Sequence, residues 1–219
     1  MELLEFARGP VLLFAITVFI GGIAFRIFSL LLMWRTKDSS AGRAQEKPMF
    51  IAAIREIIRR LWPQAAYTQR TMFALVNGYV FHVGLAIIVF FLAPHILFFQ
   101  DLIGLSWPSL PNNVIYAVSI ITLVSLIAAL VMRFANPAQR IISTFDDWFS
   151  WIVTFVPVLT GVIATSHLGA RYETLLALHI LSVAVLLVWL PFGKLMHGFL
   201  VFVTRSQTGA QLNHRGAQL

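Results

Sequence analysis

The chain contains no cysteine. It therefore cannot hold an iron–sulfur cluster through thiolates, close a disulfide or use a thiol nucleophile. Any redox chemistry has to come from a cofactor held by other ligands. Charge is scarce as well: charged residues make up 11% of the 219 and apolar residues 59%, and the mean hydropathy is +0.84, outside the usual range of a soluble domain. The composition is that of an integral membrane protein. HExxH, a phosphate loop, a dinucleotide fingerprint and a serine nucleophile elbow are all missing, so no hydrolase or kinase motif is visible. The net charge of +7 could point to nucleic acid, but the Lys and Arg residues cluster between apolar runs, which is a pattern of membrane topology. No nucleic-acid partner is expected.

Crossing the hydrocarbon takes about 20 apolar residues, and five stretches qualify, roughly 10–33, 71–99, 113–134, 148–167 and 174–204. The expected fold is an all-α bundle of five transmembrane helices forming one membrane domain over 1–219, with no repeat and no separate soluble domain. The first run follows Met-Glu-Leu-Leu-Glu rather than a positive start with a small-residue cleavage site, so it reads as a retained span. Arg35, Lys37, Arg43, Lys47, Arg55, Arg59, Arg60 and Arg70 fall between the first two runs. Arg133 and Arg140 fall between the third and fourth, and Lys194, Arg205 and Arg215 lie toward the end. The opposite side holds Arg8 and Arg171 alone. The positive-inside rule then places the N-terminus outside and the C-terminus in the cytoplasm of a bacterial-type inner membrane.

Between the first two runs, residues 48–62 put Arg55, Glu56, Arg59 and Arg60 on one face and Ile54, Ile57, Ile58 and Leu61 on the other. This spacing predicts a helix lying on the membrane surface, its basic face toward anionic lipid or a cytoplasmic partner. Residues 36–47 and 206–219 are polar and are expected to be mobile.

Ionisable residues inside a membrane are costly and mark sites. His82 and His95 stand thirteen residues apart in the second run, and His179 and His197 stand eighteen apart in the fifth. Eighteen residues are five α-helical turns, so the second pair shares a helix face. The two runs cross in opposite directions, which matches His82 with His197 in the inner half and His95 with His179 in the outer half. The offset between the matches is about five residues, roughly 7 Å at 1.5 Å per residue, within reach of tilt and a bend at Pro94. Histidine on both sides of a porphyrin iron is a known haem arrangement, and two such clamps, roughly 20–27 Å apart along the normal, would form an electron path. His95 follows Pro94, and thirteen residues turn it from the face of His82. His167, at the outer end of the fourth run, is a reserve candidate for the outer haem or for quinone protonation, and His214 in the polar tail is left out. Arg26, inside the first run, suits a salt bridge to a haem propionate. Asp146 and Asp147 open the fourth run, where carboxylates favour a helix N-terminus. Gly21, Gly22, Gly84 and Gly161 lie inside runs and would admit a neighbouring helix or a flat macrocycle.

Taken together, several strings resemble the membrane gamma subunit of respiratory nitrate reductases and its relatives in sulfur-metabolism redox complexes. They are Arg26 in the first run, Phe81-His82-Val83-Gly84 in the second, Pro137 and Arg140 ahead of Asp147 and Gly161, and His179 followed by Pro191-Phe192-Gly193-Lys194-Leu195-Met196-His197. The resemblance implies a five-helix dihaem cytochrome b that relays electrons between membrane quinone or quinol and a cytoplasmic iron–sulfur subunit. His82 and His197 then match the inner haem's ligands, and His179 one ligand of the outer haem. Ten residues after His82, where the family has its second histidine, stands Leu92; His95 is the substitute. The loop 99–113 lacks the lysine that nitrate reductase relatives carry near their quinol site. The alternatives are a monohaem or degenerate membrane anchor of a redox enzyme, or a small proton or metal transporter using the same histidines.

Overall fold

The computed structural model describes residues 2–32, 48–166 and 169–217, and all regular structure among them is helical. A short α1 (Leu3–Phe6) passes through a π-helical turn at Ala7–Val11, where Pro10 lacks an amide hydrogen, into α2 (Leu12–Leu32). After the surface helix α3 (Met49–Arg59) come α4 (Thr68–Phe91), α5 (Ala93–Ile103), α6 (Asn112–Ala135), the short α7 (Pro137–Ile142), α8 (Phe145–Ser166), α9 (Tyr172–Trp189) and α10 (His197–His214). Five of the described helical segments are long and apolar enough to cross a membrane: Leu3–Leu32, Ala65–Phe91, Asn112–Ala135, Phe145–Ser166 and Tyr172–Trp189.

These segments pack in the order α4, α6, α8, α9, α2. Leu123, Leu126 and Val158 form a small core between α6 and α8, and Phe81, Leu85 and Ile88 of α4 close over it. Without a hydrophobic drive between helices in lipid, close backbone approach and interhelical hydrogen bonds must supply the adhesion. Both are present. Gly84 lies directly against the fully buried Thr122, so any side chain at Gly84 would collide with it. The Ser125 hydroxyl donates to Asn77 (2.7 Å to the side-chain oxygen), and the Asn77 amide donates back to the Ser125 carbonyl at 3.0 Å. Trp151 of α8 donates its indole N–H to the Leu126 carbonyl at 2.9 Å. On the outside, Phe14, Phe25, Phe28, Ile121 and Val124 are each more than half exposed, as helices facing hydrocarbon would be.

Two expected spans are broken rather than continuous. The stretch 71–99 divides at Leu92, whose backbone is extended (φ −77°, ψ 127°). Pro94 has no amide hydrogen for the Phe90 carbonyl, and in a continuous helix its ring would clash with that carbonyl. The freed carbonyls are satisfied by the following loop: Trp107 donates its indole N–H to Phe90 at 2.5 Å, and Leu110 N–H donates to Phe91 at 3.1 Å. The stretch 174–204 likewise ends as a helix at Trp189. Pro191 and Gly193 interrupt it, and after a 3₁₀ turn at Lys194–Met196 the chain re-enters α10 at His197.

Residues 206–214, expected within a mobile tail, continue α10 as helix, because α10 packs along α3. Gly209 makes this possible: a Cβ there would stand 2.6 Å from the Ala52 carbonyl oxygen and from the Glu56 Cβ. In the surface helix the polar face, expected toward anionic lipid or a partner, is partly covered by α10. Its Glu56 is buried against α10 and is gripped by Arg59 and Arg60, while Ile51, Ile54 and Ile58 are exposed. Arg59 and Arg60 are thus engaged by Glu56, while Arg55 stays exposed. Burial alone would raise the Glu56 carboxyl, but the hydrogen bonds and charges of Arg60 and Arg59 outweigh it and hold the group below its ordinary value. Arg35, Lys37, Arg43, Lys47 and the reserve candidate His167 lie outside the described residues.

Candidate haem-ligand pairs

The helices that carry the histidines do not pack as a pair: α4 leans on α6, and α9 lies between α8 and α2. Four imidazoles nonetheless meet across the space between them. His82 of α4 and His197 at the start of α10 have ring centres 6.0 Å apart with planes at 85°. His95 of α5 and His179 of α9 have ring centres 6.2 Å apart with planes at 12°.

These separations have a chemical meaning. Two imidazole nitrogens on opposite sides of one metal ion, each about 2 Å from it, put ring centres about 6 Å apart. Rings joined by a direct N–H···N hydrogen bond would stand nearer, at about 5 Å. Both pairs therefore have the spacing of an axial couple. Among the described residues no group of three or more His, Asp or Glu is placed to hold a metal ion. An axial couple needs two protein ligands, the macrocycle supplying the rest.

Each ring is also oriented through its other nitrogen. The Nδ1 of His82 lies 2.7 Å from the Gly78 carbonyl, that of His95 2.9 Å from Ile88, that of His179 3.1 Å from Pro157 and that of His197 2.8 Å from Lys194. A carbonyl can only accept, so each Nδ1 carries the proton, and in the neutral ring that leaves the lone pair on Nε2. This is the orientation by outer contacts found for metal-bound histidines.

The sources of these carbonyls differ. His82 uses its own helix, one turn back, and His197 uses the turn that precedes it. His95 reaches back across the Leu92 break to Ile88. His179 leaves its helix altogether for Pro157 of α8, with the Thr160 hydroxyl 3.2 Å from the same nitrogen. Gly161 clears the space for that ring, since a Cβ there would lie 3.1 Å from the His179 Cε1. His95 and His179 are half-buried, whereas His82 and His197 are exposed.

Arg26 is exposed and makes no ion pair among the described residues. It shares a helix face with Phe19 and Gly22 by i, i+3, i+7 spacing. Phe19 meets Phe199 edge-on at 6.0 Å, and Gly22 lies against Pro191. The guanidinium is thus on the side of α2 that faces the turn presenting His197. Of the four glycines singled out in the sequence, Gly22, Gly84 and Gly161 lie at close contacts, and Gly21 has nothing within 4 Å of an added Cβ. Thr160 was not signalled by the sequence, because a threonine in an apolar helix has no pattern that separates it from the rest.

Around the α9–α10 turn, Asp147 is ion-paired with Lys194 at 2.5 Å and with Arg133 at 3.4 Å. It also accepts from the Thr144 N–H at 2.8 Å and from the Thr144 hydroxyl at 3.0 Å, which is the carboxylate half of a capping box at the start of α8.

The chain is similar to a protein from Nitratidesulfovibrio vulgaris (strain Hildenborough). The two are 32% identical over 209 residues, which is 93% of this chain and 91% of the relative. The relative is described only as "Protein". No family model matches the chain, and no solved structure matches it.

Proposed function

We propose that the chain, which belongs to the same family as the Nitratidesulfovibrio vulgaris protein, is a haem b membrane subunit of a respiratory redox complex. In this reading it relays electrons between the quinone pool near the outer pair, His95 and His179, and a cytoplasmic iron–sulfur partner near the inner pair, His82 and His197. The observation that carries the reading is the double coincidence at four histidines: ring-centre separations of 6.0 and 6.2 Å, and every Nδ1 engaged by a backbone carbonyl. A pair of rings spaced in this way by packing alone would not require all four free nitrogens to be the same one.

When bound, haem supplies one-electron chemistry at the iron; the protein sets its environment through ligands, burial and charge. His82 and His197 would hold the inner group and His95 and His179 the outer one. The backbone bonds to Nδ1 keep the rings from rotating and make the imidazoles better electron donors. Arg26, on the face of α2 toward His197, offers a cation to a propionate. Gly161 and Gly84 let the backbone approach where a side chain would obstruct, and the exposed stripe Ile51, Ile54 and Ile58 of α3 is the side that meets lipid. The orientation with the N-terminus outside, from the Lys and Arg distribution, puts the inner pair on the partner's side.

The test is direct. Protein purified with haem available should give a reduced-minus-oxidised b-type spectrum with two haems per chain, and membranes should yield it together with a cysteine-rich cluster subunit. A colourless preparation would end the proposal, and one haem per chain would reduce it to the inner site.

A further inference from the structure

We infer that Asp146 is a positioning residue for His197. It acts through the Lys194 backbone, and for its functional meaning the inference rests on the haem reading above.

The turn between α9 and α10 contains Pro191 and Gly193, so ordinary helical hydrogen bonding does not fix where His197 points. A chain of polar contacts from the start of α8 does so instead. Both carboxylate oxygens of Asp146 accept from the Lys194 N–H, each at 3.1 Å. The Lys194 carbonyl accepts from the His197 Nδ1–H at 2.8 Å. The carboxylate therefore holds one side of the residue whose other side aims the imidazole.

The anchor is itself braced. Ser150 donates its hydroxyl to Asp146 at 2.8 Å and accepts the Trp189 indole N–H at 3.0 Å. The Trp189 ring meets Phe149 edge-on at 4.6 Å and lies directly over Gly193, leaving no room for a side chain there. Asp147 secures the Lys194 ammonium separately. Lys194 is thus held at its N–H, at its side chain and through its carbonyl. The two neighbouring carboxylates divide the work: Asp147 fixes charge and the α8 terminus, and Asp146 fixes the peptide that orients the ring.

The experiment compares full-length Asp146→Leu and Asp146→Asn with the unaltered protein, reading haem occupancy by site and the ¹⁵N signature of His197. Leucine removes the acceptor, and asparagine keeps an acceptor oxygen while removing the charge. With Asp146→Leu, affinity at the inner site should fall about ten- to a hundredfold, the usual cost of losing an outer contact to a ligand, while the outer haem is retained and reports an intact fold. Asp146→Asn should restore inner occupancy. In protein prepared without haem, His197 should sit in the Nδ1–H tautomer in the unaltered and Asn forms and become mixed in the Leu form. An Asp146→Leu protein with unchanged inner haem and an unchanged His197 tautomer would overturn the inference. So would equal loss of both haems, or an Asn variant that behaves like the Leu variant. The haem reading fails separately, through colourless unaltered protein, and the tautomer measurement still decides the role of Asp146 in that case.

Discussion

The two histidine pairs place the same side chain at nearly the same ring separation, yet they are built in opposite ways. The inner pair is exposed, its planes are crossed at 85°, and both Nδ1 bonds are local, to residues three or four positions earlier. The outer pair is half-buried, nearly parallel at 12°, and its Nδ1 bonds span seven and twenty-two residues. His82 depends on its own turn, and His197 on a turn that Asp146 braces from the start of α8. The His179 ring is held directly from α8, so the outer site should respond to packing changes around Pro157, Thr160 and Gly161 that leave the inner site unchanged.

Ligand removal would test this contrast most strongly. His82→Ala or His197→Ala should lose the inner haem and His95→Ala or His179→Ala the outer, each halving haem content measured by pyridine haemochrome. An effect of either inner substitution on the outer haem would break the supposed independence of the two sites.

A smaller change separates local from tertiary support. Gly161→Ala sets a methyl 3.1 Å from the His179 ring, an overpacking cost of about 1–3 kcal/mol. Haem titration should show the outer affinity weakened by about tenfold and the inner affinity unchanged.

Without any mutation, electron paramagnetic resonance should distinguish the sites. In a haem held by two imidazoles, each ring would interact through its π system with one of two similar iron d orbitals. Parallel planes act on the same orbital and split the two, whereas crossed planes act on both and leave them close in energy. The inner ferric haem should therefore give a highly anisotropic low-spin signal and the outer an ordinary rhombic one; His95→Ala should remove the rhombic signal only.

The smallest expected effect is acid loosening of α3 from α10. Glu56 has a folded-state value below its ordinary 4.5, so the carboxylate's contribution is fully present above that value and is lost as pH falls through the lower folded one. The chain has no native cysteine, so spin labels at Ile51→Cys and Gln207→Cys report the helix separation cleanly. The distance should hold at neutral pH and broaden only as pH falls below 4.5, and Glu56→Gln should flatten the dependence.

How the sequence reads against the structure is clearest at the two breaks. His179 and His197, eighteen residues apart, do not share one helix face, because α9 stops at Trp189 and His197 opens a different helix. Their partners are nevertheless those matched by depth, His95 and His82. Opposite chain directions fix the order of depths whether or not the helices are continuous. Thirteen residues of unbroken helix would have turned His95 away from His82's face; the extended Leu92 resets that rotation. The separation counted along an unbroken helix does not carry over for the same reason. Pro94 and Pro191 were visible in the chain, but a proline inside an apolar run permits either a bend or a break. Which one occurs depends on whether something else satisfies the freed carbonyls, and at the Pro94 break Trp107 and Leu110 do so from a loop seventeen and nineteen residues further along.

By itself the sequence determined that five apolar runs of membrane-spanning length exist, that thiolate chemistry is excluded, and which histidines lie in apolar surroundings. Transfer to hydrocarbon and the inventory of side chains are properties of each segment alone. The tertiary structure decided where the helices break, which carbonyl takes each Nδ1 proton, that Glu56 turns inward while the isoleucines of α3 turn out, and how the ring planes cross. Those outcomes follow from hydrogen bonds and close contacts between residues far apart in the chain, and no local pattern encodes them.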